Sequence, residues 1–183
     1  MSAAPPRIHL VLGGARSGKS AYAESLALRT ERPVVCVTTC ATAFADAEMR
    51  ERIRSHRARR PTHWTTLEDR FDLETLCRSH PGCTLLVDCL TLWLSFHSFS
   101  VETLGEEHLL RRLESAVDAA RDGNVLLLCV SNELGLGLVP SSPLGRSFRD
   151  LAGRANQRLA ARADAVDFLV AGLPLRLKGP PLP

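Results

Sequence analysis

At 183 residues the chain has material for one hydrophobic core and one domain, and is too short for two ordinary domains without a clear linker. A formal charge of only +3, with a basic run at Arg50–Arg60 that has no interleaved aromatics, reads as a solvated helix face and argues against nucleic-acid binding. The six cysteines, Cys36, Cys40, Cys77, Cys83, Cys89 and Cys129, make no C-x-x-C pair, which argues against a zinc site or a disulfide framework; no stretch approaches the about 20 apolar residues of a membrane span, and the expected location is the cytoplasm.

In chain order, Met1–Pro6 is expected to be a loose tail, because Pro5-Pro6 cannot donate to a sheet ladder. Arg7–Leu12 reads as the first strand. The next stretch, Gly13-Gly14-Ala15-Arg16-Ser17-Gly18-Lys19-Ser20, has Walker A spacing. Its glycines allow successive backbone N–H groups to turn inward around an anion, and Lys19 is expected to reach the outer phosphates. Ser20, at the positive end of the following helix, is expected to put its hydroxyl on Mg²⁺. The competing reading is a strand-to-helix turn that binds nothing, but an apolar strand before it and a helical pattern after it favour nucleotide. That helix is expected from Ser17 or Gly18 to Leu28, where Glu31-Arg32-Pro33 breaks the pattern, and a strand comes next at Val34–Thr38.

Thr39–Ala45 reads as a loop, with Asp46 placed to cap a helix over Ala47–Arg59. Met49, Ile53, His56 and Arg60 recur there at helical spacing, and Pro61 ends the pattern. Trp64–Thr66 reads as a short extended piece and Leu67–Ser79 as a helix. Thr84-Leu85-Leu86-Val87-Asp88 has the form of a strand buried on both faces that delivers a carboxylate at its end, the Walker B arrangement. Asp88 is thus a magnesium ligand, or else a loop acid that caps the segment after it. Leu90–Phe99 is apolar without a decisive period. Glu102–Arg121 is an amphipathic helix, Val125–Val130 a buried strand, and Ser131–Pro140 a glycine-punctuated loop at a strand's carboxyl end, either a wall of the site or a flexible turn. A helix over Leu144–Ala163, a strand over Val166–Ala171 and an edge piece over Gly172–Lys178 complete the pattern, with 179–183 as a second tail. The alternation predicts a single α/β, P-loop NTPase-like domain over residues 7–178, with a mainly parallel sheet of about five or six strands flanked by helices.

Together these residues resemble the bifunctional adenosylcobinamide kinase / adenosylcobinamide-phosphate guanylyltransferase family. The resemblance rests on the Walker A stretch, Asp46-Ala47-Glu48-Met49 with Arg52-Ile53 and His56, Arg60-Pro61, and Trp64 through Glu68. It continues through Asp88-Cys89-Leu90-Thr91-Leu92-Trp93-Leu94, Ser131-Asn132-Glu133 with Gly135 and Gly137-Leu138-Val139-Pro140, Arg146-Ser147-Phe148-Arg149-Asp150 and Asn156-Gln157. It implies phosphorylation of the hydroxyl on the aminopropanol arm of adenosylcobinamide, and then transfer of GMP from GTP through a guanylylated histidine. It implies His56 as nucleophile, and nucleotide contacts from the Walker A loop with Lys19, from Thr38, Thr39 and Cys40, from Arg57, Ala58, Arg59 and Arg60, and from Glu68 and Asp88. It also implies Mg²⁺ on Ser20 and Asp88 with ATP and GTP as substrates, and a homo-oligomer, with a trimer as the form to test.

Three departures stand out, the first being a loop between the second strand and the His56 helix about two residues longer than in relatives, which bears on the contacts from Thr39 to Ala43. Some relatives carry two adjacent histidines where this chain has Ser55-His56, and Phe96 stands where an asparagine is common. On the residues alone, Arg52, Arg54, Arg57 and Arg59 lie near enough in sequence to favour the neutral imidazole that a nucleophile requires, although an ordinary helix-end histidine would look the same. A P-loop regulator without transfer chemistry and a simple small-molecule kinase are the alternative functions.

Overall fold

The computed structural model describes residues 7–40, 47–99 and 104–180; the side chains at positions 48, 49, 52, 55 and 56 also lie outside the description. The first strand, β1 (Ile8–Gly13), is buried along its whole length and feeds directly into the phosphate loop and α1 (Lys19–Leu28). Then come β2 (Val34–Thr38), α2 (Ala47–Arg59), β3 (Thr65–Glu68), α3 (Leu73–Ser79), β4 (Thr84–Asp88) and α4 (Leu90–Phe99). The chain ends with α5 (Glu106–Asp122), β5 (Leu126–Asn132), α6 (Pro143–Arg162), β6 (Ala165–Val170) and β7 (Leu173–Lys178).

The strands form one seven-stranded sheet in the order β3-β2-β4-β5-β1-β6-β7. All neighbours are parallel except β6 and β7. Strand parity sorts the apolar runs onto two faces. Ile8, Leu10, Val35, Val37, Leu85, Val87, Leu127 and Cys129 pack with α3, α4, α5 and α6. Val11, Cys36, Leu86, Leu128, Val130 and Leu169 face the other way, where Ala23 and Ala27 of α1 and the ring of Trp64 cover them. Alanines on α1 allow a close approach, which holds the helix start tightly over the end of β1.

The expected helix over Leu67–Ser79 is corrected. Residues Thr65–Glu68 pair with Val35–Thr38 as a seventh strand, and the helix starts only at Leu73. Asp72 sets that start: its carboxylate accepts from the Thr75 backbone N–H at 3.2 Å and the Thr75 hydroxyl at 2.9 Å. Leu90–Phe99 is helical, and the long amphipathic helix spans Glu106–Asp122, later than its expected Glu102 start. Asp46, the expected cap of α2, and the loop after Cys40 lie outside the described residues. Phe96 stacks on Phe71 with ring centroids 3.6 Å apart and planes within 5° of parallel, so the unusual residue at this position belongs to the packing between α4 and the segment ahead of α3.

Candidate active site

Register brings the carboxyl ends of the central strands level. Thr38 lies opposite Glu68 on one side and Asp88 on the other, while Gly13 lies opposite Asn132 and Leu169. Ligands of parallel sheets bind at this end because the helix N-termini and loops converge there.

The phosphate loop is shaped by backbone that few side chains tolerate. Gly18 has φ +92° and Arg16 φ +58°. A Cβ on Gly13 would lie 2.4 Å from Ser17 Oγ and 2.9 Å from the Leu169 carbonyl oxygen, so the turn closes only on glycine. Lys19, only 5% exposed, donates from Nζ to the Gly14 carbonyl at 3.0 Å and lies folded along the loop. No side chain caps the N-terminus of α1, in contrast to α3 and α6, and the Ser17 hydroxyl is buried without a hydrogen-bond partner. Unsatisfied N–H groups, the helix dipole and an orphaned hydroxyl together fit a bound phosphate.

A cavity of about 220 Å³ opens beside this loop. Lys19 and Ser20 of α1 line it with Thr38 and Cys40 at the end of β2 and Asp88 at the end of β4. Ile53 and Arg60, Cys89 and Leu92, and Asn132 at the end of β5 complete the wall. Arg60 is half-buried and its Nε is a buried donor with no hydrogen-bond partner, as suits a site for an anion. Ser20 and Asp88 supply oxygen donors of the kind Mg²⁺ takes.

The remaining expected contacts are not among the residues lining this cavity. The Thr39 hydroxyl is fully buried behind the cavity, accepting from Cys89 N–H at 3.0 Å and donating to the Cys89 carbonyl at 2.5 Å, so it props the turn that presents Asp88. Arg57 pairs with Glu68 at 3.5 Å and Arg59 with Glu24 at 3.8 Å, while Ala58 is exposed. Ala15 and Arg16 are exposed on the loop. The His56 side chain lies outside the described ones. His97 is buried, its Nε2 3.4 Å from the Phe71 carbonyl, and burial lowers its proton affinity; it does not line the cavity. Burial pushes the Cys89 thiol up to about 11 and Cys36 to about 12, so neither offers a thiolate at neutral pH.

Leu92 and Asn132 line the cavity although the motifs alone assign them no contact. For Asn132 the available signal is its place at the end of a buried strand, where the following loop reads as a wall. Its backbone is pinned from two helices: its N–H donates to Thr91 Oγ1 at 2.9 Å and its carbonyl accepts from Asn156 Nδ2 at 3.1 Å.

The fold resembles that of the RadB recombinase, with a TM-score of 0.51 at 15% identity over 89% of this chain and 74% of that one. A Pyrococcus horikoshii OT3 protein matches with a TM-score of 0.57 at 9% identity over 94% and 86% of the two chains. These are likenesses of fold alone, that of a mainly parallel sheet flanked by helices with the phosphate loop between its first strand and first helix. Sequence relatives are more specific. A bifunctional adenosylcobalamin biosynthesis protein of Pseudomonas aeruginosa, CobP, is 46% identical over 94% of this chain and 98% of its own length. The Salmonella typhimurium protein CobU is 38% identical over 92% of this chain and 98% of its own length. The family model for cobinamide kinase / cobinamide phosphate guanyltransferase matches residues 9–177, and the chain belongs to that family.

Proposed function

We propose that the chain phosphorylates adenosylcobinamide and then converts the product to adenosylcobinamide-GDP. The observation that carries this reading is the meeting of Lys19, Ser20, Asp88 and the unpartnered Arg60 Nε around one cavity, on a member of this family. In the first step the arm's hydroxyl oxygen bonds to the γ-phosphorus of ATP or GTP, the bond to the β-phosphate oxygen breaks, and the hydroxyl proton passes to solvent. Lys19 and Arg60 neutralise phosphate charge, and the N–H groups at the start of α1 hold the phosphates in line. Ser20 and Asp88 would hold Mg²⁺, which would supply further neutralisation of phosphate charge.

In the second step a nitrogen of neutral His56 bonds to the α-phosphorus of GTP and pyrophosphate leaves. A phosphate oxygen of adenosylcobinamide phosphate then takes the GMP, and the imidazole is released. Position 56 falls three residues after Ile53 and four before Arg60, both cavity residues, and this helical spacing supports its role. Thr38 and Cys40, which line the cavity with Lys19 and Ser20, are read as nucleotide contacts, the rest of the Walker A loop is so read on its motif, and Thr39 acts through Cys89.

We further infer a single functional domain over 7–178, a cytoplasmic location, supported by six free cysteines, and a homo-oligomer, supported by the apolar stripe of Val170, Leu173, Leu175 and Leu177 along the antiparallel edge. Among the described residues no helix is long and apolar enough to cross a membrane. The test is incubation with adenosylcobinamide and GTP labelled at either the α or the γ phosphate. The reading requires γ label on cobinamide, acid-labile α label on the protein, and α label in the final product. Nucleotide binding without any transfer would make the chain a regulator, and γ transfer alone would make it a simple kinase.

A further inference from the structure

Adenosylcobinamide is a macrocycle carrying an adenosyl group and a ring of amide side chains, and a cavity of about 220 Å³ beside the phosphate loop is too small to enclose it. Only the hydroxyl-bearing arm can enter. The body of the acceptor must rest on the rim, and its broad apolar face requires an apolar surface there.

One rim segment has that character. Beyond Asn132 the chain passes into a loop in which Leu136 is 79% exposed, Leu138 97% and Val139 67%, with Leu144 beyond it at 62%. The loop has a defined shape. Glu133 N–H donates to the Gly13 carbonyl at 3.1 Å, and Glu133 Oε1 accepts from Gly135 N–H at 2.5 Å. At its far end Arg146 Nη1 donates to the carbonyls of Pro140 and Ser141 at 3.0 and 2.7 Å. Aliphatic side chains held outward on a hydrogen-bonded frame are the mark of a contact surface. The other exposed apolar stripe, on β6 and β7, is set apart from the cavity by sheet order, since β1 and the phosphate loop stand between. The loop after β5 instead grows directly from a cavity residue.

We propose that Leu136, Leu138 and Val139 form the platform for the apolar face of the corrinoid, with the arm entering the cavity beside Asn132. Asn132 is suited to that threshold. Its backbone is fixed by Thr91 and Asn156, and its carboxamide, on the cavity wall, makes no hydrogen bond among the described residues, leaving a donor and an acceptor for the hydroxyl of the arm. The assignment rests on the family activity proposed above and adds the place where the acceptor docks.

The test is the double variant Leu136→Ser/Leu138→Ser, with Leu138→Gln alone as a second variant at a position that packs against nothing. Two readouts separate this assignment from the activity itself: α-labelled GTP incorporated into protein without corrinoid, and the KM for adenosylcobinamide in the kinase assay. Labelling is expected within about twofold of the unsubstituted protein, with KM raised about tenfold or more in the double variant and less in the single one. A KM within twofold for the double variant overturns the platform. A raised KM accompanied by loss of the assembled state on light scattering also overturns it, giving the loop to a second copy of the chain. Absence of label and transfer in the unsubstituted protein would overturn the activity, and the platform with it.

Discussion

The backbone N–H of Gly172 donates to the carbonyl of Ser17 at 2.9 Å, so the turn of the β6–β7 hairpin grips the phosphate loop. Ala171 and Gly172, at φ +52° and +81°, form a two-residue turn of the I′ kind, whose twist matches that of the strands it joins. Among the described residues β7 is the one antiparallel strand, and its hairpin both ends the sheet and supports the Gly13–Ser20 loop.

This packing separates three glycines of one motif. Gly13→Ala and Gly18→Ala should both lose GTP affinity: the first drives a Cβ onto a backbone carbonyl at 2.9 Å, and the second combines φ +92° with a contact 3.1 Å from Gly172 Cα. Left-handed strain alone costs roughly 1–2 kcal/mol. Gly14→Ala meets nothing within 4 Å and should stay within about 0.5 kcal/mol. Thermal melts and GTP titrations of the three variants check the order.

Lys19→Ala should slow both transfers by about a hundredfold or more, because one preorganised cation serves both nucleotides. Asp88→Asn should fold normally but require more Mg²⁺, since it keeps size and removes charge. Rates of each half-reaction against Mg²⁺ concentration test both. A normal rate for either transfer in the lysine variant would mean separate phosphate sites, and an unaltered titration would make Asp88 structural.

His56→Ala should abolish covalent GMP labelling and guanylyl transfer while leaving most of the kinase activity. Nucleophilic attack on the α-phosphate needs an imidazole, whereas phosphoryl transfer needs positioning and charge neutralisation. The buried His97, bonded to the Phe71 carbonyl, is a poor substitute. Acid-labile label measured beside phosphorylated cobinamide decides the matter; equal loss of both activities in a folded variant would make His56 part of the common nucleotide site.

Asp167 should link the hairpin to acid stability. Burial opposes its ionisation, but hydrogen bonds from His9 Nε2 at 2.7 Å, Arg176 Nε at 2.5 Å and the Tyr22 hydroxyl at 2.8 Å outweigh that and hold its pKa near 2, below the ordinary 3.8. A depressed carboxylate pKa contributes stability that is present above pH 3.8 and lost as pH falls through about 2, here about 2 kcal/mol. Asp167→Asn should therefore be less stable than the unsubstituted protein at pH 6, with the gap narrowing between pH 4 and 2 in denaturant melts. Burial, and after it the bond to Asp167, also lifts the Tyr22 phenol to about 12, so it stays a donor throughout that range.

Features that depend on neighbours in the chain were legible in the sequence. The phosphate loop is local backbone chemistry, and the apolar run ending in Asp88 marks a buried strand because a parallel sheet covers both faces. What a run buried on both sides cannot carry is strand order or facing, since every residue is apolar; tertiary packing alone assigns Leu85 and Val87 to one layer and Leu86 to the other. Leu67 and Glu68 leave the expected helix and extend the Trp64–Thr66 piece, because the free edge of β2 offers a ladder of hydrogen bonds that local propensity cannot match. The site divides likewise. Lys19, Ser20 and Asp88 come from motif spacing, but Thr39, one residue from Thr38, points its hydroxyl into the Cys89 backbone because adjacent residues at a strand end face opposite ways. Arg60 and Asn132 reach the same cavity from positions 72 residues apart in sequence, a meeting that only the crossing of the chain over the sheet brings about.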